Sequence, residues 1–339
     1  DSLFTPLISL LVGFSTLLVV YVGSNEVMAG RMTLGNITEF IMYVFMLTWP
    51  VTALGWTSSQ IQRAAASQKR INEFLNIKSE LVPGKQIAQP IQGKWTFKDL
   101  CFTYPGTDRP VLKSLNLEIN PGESVALLGT TGSGKSTIAL LMARFYDPSS
   151  GDILLDDIPL REWDIQHVRK HLGFVPQDVF LFSTSIAENI RFGQDDLTDA
   201  QMEQAARYAD VYDNIQDFPN QFETILGERG VTLSGGQKQR VSLARALAKN
   251  PNILILDDCL SAVDTHTEHK ILSNLKHIML DKTSLIISHR VSSAKLANRV
   301  FVLQGGEIVE QGKHAQLMRK KGLYYELYQQ QLNEEQGLK

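Results

Sequence analysis

A glycine-rich octapeptide constrains the fold of this chain more than any other feature. Residues 129–136 read Gly-Thr-Thr-Gly-Ser-Gly-Lys-Ser, which matches the phosphate-loop pattern G-x-x-x-x-G-K-[ST]. An apolar run from Val125 to Leu128 precedes the loop, and an apolar segment from Thr137 to Met142 follows it. This order predicts a buried parallel strand, a loop and a helix whose N-terminus favours anions. The alternative is a turn rich in Gly, Ser and Thr that binds no ligand.

Two later segments carry the other residues of a nucleotide site. Residues 233–237 read Leu-Ser-Gly-Gly-Gln, a second glycine-rich stretch. Residues 253–257 read Ile-Leu-Ile-Leu-Asp, an apolar strand that ends in a carboxylate. Such an acid faces the crevice where α/β sheets bind ligands, although a strand-end turn is the commoner reason for one. With Lys135 for the β- and γ-phosphates and Ser136 for Mg²⁺, Asp257 completes the pattern.

These elements, in this order, resemble the ATPase domain of ATP-binding cassette (ABC) transporters. The resemblance covers essentially the whole chain and implies ATP and Mg²⁺ as cofactors. The implied fold is an α/β P-loop (RecA-like) ABC ATPase domain with an antiparallel β subdomain and an α-helical signature subdomain, preceded by two transmembrane α-helices. The antiparallel strands are expected within residues 94–121, and the helical subdomain within residues 185–239.

The resemblance also implies roles for individual residues. Taken alone, a tyrosine at a strand end, a glutamine in a loop or a histidine after a strand is an ordinary structural residue, so these roles depend on the order of the motifs. The implied catalytic residues are Asp258, His289 and Gln177. The implied metal ligands are Ser136, Gln177 and Asp257. The implied ATP contacts are Tyr104, which stacks on adenine, and Gly129, Thr130, Thr131, Gly132, Ser133, Gly134, Lys135, Ser136, Thr137, Gln177, Asp257, Ser234, Gly235, Gly236 and Gln237.

In this family the second glycine-rich stretch, residues 233–237 here and called the signature below, contacts the ATP that another ATPase domain holds. Ser234 and Gly236 would therefore bind the γ-phosphate of a partner's ATP. Residues 261–264 resemble the loop that crosses the interface between the two domains. Residues 224–230 resemble a segment found in exporters, in which Glu228 would touch the membrane domain. The resemblance thus predicts a protein that works as a pair of such domains.

One position departs from the family pattern. The residue after the strand-end acid is ordinarily a glutamate that acts on the attacking water, and here it is Asp258. A general base must lie within about 2.6–3.2 Å of the oxygen that loses the proton. Because aspartate is one methylene shorter, its carboxylate would retreat by roughly 1.5 Å, and a misplacement of about 1 Å can cost about 10²-fold in rate. The chain's own site is expected to bind ATP and to hydrolyse it slowly.

An impaired base beside an intact signature resembles one member of a heterodimeric exporter. The expected partner is therefore a second ABC half-transporter, with a heterodimer favoured over a homodimer of two equal slow sites. Three further alternatives stay open. They are a soluble ABC ATPase of DNA repair or translation, an import ATPase, and an ATP-gated regulator that transports nothing.

The first part of the chain has the composition of membrane spans. Residues 2–25 carry no charged side chain, and residues 40–62 form a second uncharged stretch. A span needs about 20 apolar residues, so we predict spans at about residues 3–24 and 40–62, a loop over residues 24–39, and a helix that continues from Ala64 to Leu75. The predicted domains are 1–76, the C-terminal part of an exporter membrane domain; 77–93, a linker; and 94–339, the nucleotide-binding domain.

The flanks of the second span give its orientation. Three basic residues follow it, Arg63, Lys69 and Arg70, whereas the loop has one basic residue, Arg31. This bias agrees with a cytoplasmic ATPase domain. We expect an integral membrane protein, of a bacterial inner or cell membrane. A secretory signal peptide is the alternative for residues 1–22, but a basic region and a small-residue cleavage site are missing. A buried hairpin of a soluble protein is the alternative for the second stretch.

Composition limits the partners. The net charge is −3, and the sequence has no basic tail of the kind that binds nucleic acid. We therefore expect no nucleic acid partner. Cys101 and Cys259 show neither disulfide nor metal-ligand spacing and suit a reducing cytosol. Few polar residues interrupt the spans, which favours contact with membrane lipid and an apolar or amphipathic transported small molecule, such as a drug or a lipid.

Overall fold

A computed structural model describes residues 4–335 of the chain, apart from residues 80, 82, 83, 195, 231 and 232. The chain divides into two units, residues 1–79 and residues 80–339. Some predicted positions lie outside the described residues: Leu3, where the first span was expected to begin, part of the predicted linker, and residues 336–339 of the predicted nucleotide-binding domain.

The first unit is a pair of helices, α1 (Phe4–Met28) and α2 (Leu34–Leu75). By length and composition, Pro6–Met28 and Leu34–Leu75 could each cross a membrane. Almost none of the apolar side chains that would face the bilayer are buried within the protein. The hydroxyls of Thr48 and Thr52 donate to carbonyls four residues earlier, at 2.8 and 2.7 Å, so these polar groups are satisfied inside their own helix.

The loop between the spans is shorter than predicted. We expected it to cover residues 24–39, but only residues 29–33 separate the helices, so that prediction is wrong in extent. Each added helical residue gains a backbone hydrogen bond, and the polar residues that follow each apolar stretch therefore continue the helix rather than end it. Gly30, with φ +67°, makes the turn. The predicted helical continuation from Ala64 to Leu75 is confirmed.

The second unit contains ten strands and ten α-helices among its described residues. The strands are β1 (Trp95–Phe102), β2 (Leu112–Ile119), β3 (Ser124–Gly129), β4 (Ser150–Leu155), β5 (Ile158–Pro159), β6 (Leu172–Val175), β7 (Ile253–Asp257), β8 (Thr283–Ile287), β9 (Arg299–Gln304) and β10 (Glu307–Gly312). The helices are α3 (Lys135–Met142), α4 (Ile165–Lys170), α5 (Ile186–Arg191), α6 (Asp199–Tyr208), α7 (Tyr212–Gln216), α8 (Gly235–Ala248), α9 (Thr265–Ile278), α10 (Val291–Ala294), α11 (His314–Lys320) and α12 (Leu323–Glu335).

A six-stranded sheet organises this unit, in the order β10-β9-β3-β8-β7-β6. Four of its five strand pairings are parallel, and the pairing of β9 with β10 at one edge is antiparallel. Strands β3, β7 and β8 therefore end at the same edge, with Gly129, Asp257 and Ile287 as their last residues. That edge is where an α/β sheet binds ligands. The predicted parallel strands around the phosphate loop and the acid are confirmed.

The strand side chains alternate between two cores. Ile253 and Ile255 pack with the antiparallel sheet β2-β1-β4-β5 on one face, and Leu254 and Leu256 pack with helices α5 to α9 on the other. Such alternation follows from the period of two in a strand. Both predicted subdomains are present: antiparallel strands within residues 94–121, and a helical region that ends in α8.

Residues 84–93, the second half of the predicted linker, run along the second unit. Ile87 exchanges backbone hydrogen bonds with Glu162 and Asp164, at 3.0 and 2.9 Å. The Asp156 carboxylate accepts from the backbone N–H groups of residues 92, 93 and 94. A composition rich in Pro and Gly therefore also suits a chain segment fixed to a domain surface.

Candidate nucleotide site

The phosphate loop is shaped by glycines that no other residue could replace without strain. Gly129 ends the buried strand β3 with φ +152°, and a Cβ there would collide with the Leu303 carbonyl. Gly134, with φ +103°, would place a Cβ 2.7 Å from Leu112 Cδ2. Helix α3 begins at the next residue, and its first N–H groups have no partner within the helix. The loop and the helix start therefore form a cradle of N–H donors suited to phosphate.

Lys135 lies across this cradle. Its Nζ donates to the carbonyls of Gly129 and Thr130, both at 2.9 Å. Burial lowers the pKa of Lys135, and the nearby Asp257 and Asp258 oppose that shift. A partly buried ammonium with two replaceable carbonyl contacts is well suited to a polyanion, because phosphate oxygens offer stronger, charge-assisted hydrogen bonds.

A cavity of about 360 Å³ opens in front of the loop. The structure gathers most of the predicted site residues around it. The predicted residues that line it are Tyr104, Thr131, Gly132, Gly134, Lys135, Ser136, Thr137, Gln177, Asp257, Asp258 and His289. Gly129, Thr130 and Ser133 lie within the loop but do not line the cavity, and neither do Ser234, Gly235, Gly236 and Gln237.

Asp257 is buried at the end of β7, at the floor of the cavity. Burial raises the pKa of Asp257 to about 6; the Ser136 hydroxyl and Lys135 lower it, and Asp258 raises it further. Its Oδ1 atom is buried without a hydrogen-bond partner among the described residues. A buried carboxylate oxygen beside a serine hydroxyl is a hard donor set that suits Mg²⁺, which would favour the ionised form. The residues present therefore fit a magnesium-bound nucleotide.

Asp258 and His289 form a pair at the edge of the cavity. Asp258 adopts the left-handed conformation, φ +46°, and its N–H donates to the Ile287 carbonyl at 2.8 Å. Its Oδ1 lies 2.8 Å from His289 Nδ1. The Asp258 carboxylate raises the pKa of His289, because it stabilises the imidazolium. The Asp258 side chain is 15% exposed and that of His289 is 55% exposed, so the carboxylate lies deeper than the ring.

Tyr104 and Gln177 occupy the two remaining sides. The Tyr104 hydroxyl lies 3.0 Å from Thr137 Oγ1, and its ring packs edge-on against Phe102 and Tyr146. Gln177 follows β6 in an exposed bend. The first side chain is held by packing, whereas the second is free to reach a ligand.

The second glycine-rich stretch forms the start of α8. Ser234 is the N-cap: its Oγ accepts from the Gln237 N–H at 3.2 Å, and Gln237 Oε1 accepts from the Ser234 N–H at 2.9 Å. Ser234 and Gly235 are exposed. A Cβ at Gly236 would lie 2.8 Å from the Ala262 carbonyl, so the stretch rests on the loop of residues 261–264. This helix start presents its donors to solvent, away from the chain's own cavity.

Two buried polar side chains around this loop were missed by sequence reasoning. Gln239, buried in α8, donates to Ser261 Oγ and accepts from the Ala262 N–H, both at 2.9 Å. Glu268, buried in α9, pairs with Arg290 and accepts from Ser292 at 3.0 Å. One signal was available for Glu268: it shares a helical face with the apolar residues of α9, where a charge requires a partner.

Comparisons with known proteins agree with this geometry. Residues 112–261 match the family model described as ABC transporter. The chain carries an ABC transporter ATPase domain. ABC ATPase domains use ATP with Mg²⁺, the pair that Lys135, Ser136 and Asp257 fit.

Individual relatives extend the similarity beyond the ATPase domain. The chain is 41% identical over 331 residues to the multidrug resistance-like ATP-binding protein MdlA of Escherichia coli strain K12, covering 98% of this chain and 56% of that protein. It is 38% identical over 335 residues to the ATP-dependent lipid A-core flippase of Thiobacillus denitrificans, covering 98% of this chain and 58% of that protein. The chain thus spans a little over half the length of these relatives.

A solved structure shares the fold. The structure of a bacterial Atm1-family ABC exporter with ATP bound superposes with a TM-score of 0.76 at 35% identity, covering 96% of this chain and 57% of that chain. The similarity therefore includes the two apolar helices as well as the ATPase domain.

Proposed function

We propose that this chain supplies one ATPase domain and two membrane spans to an ABC exporter, in which ATP binding and hydrolysis drive export. Two long exposed apolar helices joined in one chain to an ABC ATPase domain support an integral membrane protein. Import ATPases usually lack fused membrane spans, and such spans also argue against a soluble ABC ATPase. Arg63, Lys69 and Arg70 after the second span support a cytoplasmic ATPase domain. Bacterial relatives favour a bacterial inner or cell membrane.

The cavity in front of the phosphate loop is the proposed ATP site. The loop N–H groups and Lys135 would hold the phosphates, and Tyr104 would stack on the adenine. Ser136, Asp257 and Gln177 would hold Mg²⁺, which neutralises charge on the phosphate oxygens when it is bound. Gln177 would also orient the attacking water, and His289 would contact the γ-phosphate. Every one of these side chains lines the cavity, which supports the assignment.

The observation that carries the proposal of a slow ATP site is the position of the Asp258 carboxylate. Its carboxylate is short, mostly buried and bonded to the His289 ring. A catalytic base must reach the water beyond the γ-phosphate, and a carboxylate held back in this pair reaches less far than a glutamate. We therefore infer that this site binds ATP and turns it over slowly.

The intact signature would serve a different ATP. Ser234 and Gly236 stand at an exposed helix start outside the chain's own cavity, as a contact to a partner's γ-phosphate requires. A weak base here and a complete signature for the partner favour a heterodimer of one strong and one weak site. Closure of the two domains on ATP would move the membrane helices, and hydrolysis in the strong site would reset them.

The names of relatives and the composition of the two spans favour a broad class of transported substrate. Relatives are named as multidrug resistance-like and lipid A-core flippase proteins. Together with two spans that carry few polar residues, these names favour a drug, a lipid or another amphipathic molecule. Transport of such a substrate would stimulate ATP hydrolysis in the assembled protein.

Purification with an affinity tag from the native membrane tests the assembly. In mild detergent, we expect a distinct half-transporter in equal amount, with glutamate at the position of Asp258, identified by mass spectrometry. Self-pairing alone would contradict the asymmetric proposal and favour two equal slow sites. Absence of substrate-stimulated ATP hydrolysis in the assembled pair would instead favour an ATP-gated regulator.

A further inference from the structure

The last helix of the ATPase domain presents three side chains on one face. Tyr324, Tyr328 and Gln331 are spaced by four and three residues along α12, so they lie above one another on the helix surface. All three side chains contact other elements of the domain. The helix is therefore a structural part of the second unit rather than an unattached C-terminal extension.

The beginning of α12 is firmly anchored. Tyr324 is fully buried in a cluster that includes Ala126 and Leu128 of β3, the strand that leads into the phosphate loop. Its hydroxyl lies 2.6 Å from His314 Nδ1. The Glu310 carboxylate accepts from the N–H groups of residues 323 and 324, at 2.8 and 3.2 Å, and so caps the helix.

The far end of the same helix face reaches the loop that carries His289. Gln331 Oε1 accepts from the Val291 N–H at 2.7 Å, and Gln331 Nε2 donates to the His289 carbonyl. Val291 is the first residue of α10, where a backbone N–H has no partner within the helix. One amide side chain therefore satisfies two backbone groups that lie on either side of Arg290.

We propose that Gln331 is a positioning residue, through which helix α12 fixes the backbone of the His289 loop and so the place of the His289 ring in the nucleotide cavity. This inference rests on the proposed role of His289. The ring is 55% exposed and bonded to Asp258, and its backbone is held by Gln331. Release of α12 would therefore free the loop and let the ring move from the γ-phosphate position.

Hydrogen exchange tests the contact without nucleotide. In the intact protein, Gln331→Leu removes both hydrogen bonds at similar size, and we expect the amides of residues 288–292 to exchange about fivefold faster. Gln331→Glu keeps an acceptor for the Val291 N–H and should give an intermediate rate. The matched control is Gln330→Leu, the same change at the neighbouring exposed residue, which should leave the rate unchanged. An unchanged rate in Gln331→Leu would overturn the inference.

Nucleotide affinity tests the positioning role in the assembled protein. Only ATP offers a γ-phosphate to His289, so Gln331→Leu should weaken ATP binding about fivefold and leave ADP binding within about twofold. In a His289→Ala background, the same substitution should have no further effect on ATP binding, because Gln331 acts through that ring. Gln331→Glu should recover part of the loss.

The outcomes separate the inference from the proposed function. Equal weakening of ATP and ADP, or additive effects of the two substitutions, would show a general structural role and overturn the positioning role. If the wild-type protein bound neither nucleotide, the proposed function would fail. Since the positioning role requires that function, it would fail with it, and the exchange rates would still decide whether Gln331 holds the loop.

Discussion

The two glycine-rich elements of the ATPase domain differ in their surroundings within this chain. The phosphate loop, with Lys135, lines a cavity together with Asp257, which ends β7, and His289, which follows β8 of the same chain. The signature stretch at Ser234 is an exposed helix start whose cap is satisfied by its own Gln237. One element lines a cavity within this chain, and the other lies outside that cavity.

Under the proposed function, this difference would let the chain take part in two sites with unequal roles. Its own cavity is lined by Lys135, Asp257 and His289 but carries the shorter base, Asp258. Its signature carries no departure from the pattern Leu-Ser-Gly-Gly-Gln. A change in the cavity should therefore alter what happens to the chain's own nucleotide, whereas a change in the signature should alter turnover elsewhere.

The largest effect that would sharpen this contrast is expected from Ser234→Ala. Loss of a donor to a transition-state phosphate costs about 10²–10³-fold in turnover, so ATP hydrolysis by the assembled protein should fall by that order. Nucleotide binding to this chain should not change. The matched control is Thr198→Ala, which removes the same kind of cap, paired with Gln201, from α6. Both changes cost about 1 kcal/mol of stability, and an equal loss of turnover in the control would contradict the account.

The next largest effect is expected from Lys135→Met, which should weaken ATP binding in the chain's own cavity. A charge-assisted hydrogen bond is worth about 1.5–3 kcal/mol, so ATP should bind this chain about 10- to 100-fold more weakly. The control is Lys113→Met, a loss of the same charge at an exposed strand position. Binding is measured with labelled nucleotide on the assembled protein. An unchanged affinity in Lys135→Met would show that the cavity is not the nucleotide site.

Asp257→Asn gives a pH-dependent effect. Burial raises the pKa of Asp257 to about 6, above the value of an unfolded aspartate. The folded state therefore resists ionisation, and this group lowers stability as the pH rises through the interval up to about 6. Without nucleotide, we expect the variant to be more stable than wild type by up to about 3 kcal/mol near pH 7.5, and by much less near pH 4. Thermal unfolding at both pH values measures this.

Magnesium and ATP should reverse that order. They stabilise the wild-type protein through binding, and Asp257→Asn should lose most of this gain because the metal ligand is missing. A variant that is less stable than wild type without nucleotide at every pH would contradict the assignment of a buried carboxylate whose ionised form is destabilised by burial.

Tyr104→Phe should have the smallest effect. It removes the hydroxyl contact with Thr137, worth about 0.5–1.5 kcal/mol, and keeps the ring. ATP affinity should fall by less than about tenfold, whereas Tyr104→Ala, which also removes a stacking contact worth about 1–3 kcal/mol, should cost more. Equal affinities for the two variants would mean that the ring does not stack on the base.

Local patterns in the sequence predicted much of the fold. The apolar runs around residues 125–128 and 253–257 are strands, because a strand buried on both faces needs continuous apolar residues. The phosphate loop fixed the strand–loop–helix order around Gly129. The predicted site residues from five separate segments line one cavity, because parallel strands bring their carboxyl ends to one edge.

Contacts between distant segments could not be read in the same way. Gln331 meets the loop of His289 across 42 residues, and Gln239 meets Ser261 across 22 residues. Polar residues on a helix surface are ordinarily solvated, and only the tertiary packing shows which of them hydrogen-bonds to a distant segment. The extent of α1 and α2 was also misjudged, because hydropathy marks the membrane interior and not the point where a helix ends.

The central claim is that this chain's own site holds ATP and cleaves it slowly because of Asp258. The most direct measurement is photocrosslinking of the assembled protein with azido-ATP, labelled at either the α- or the γ-phosphate, followed by the label on this chain over time. We predict that wild type and Asp258→Asn keep the γ-label nearly as long as the α-label. In Asp258→Glu, the γ-label should be lost at least about tenfold faster. Equally rapid loss of the γ-label from wild type and Asp258→Glu would contradict the account.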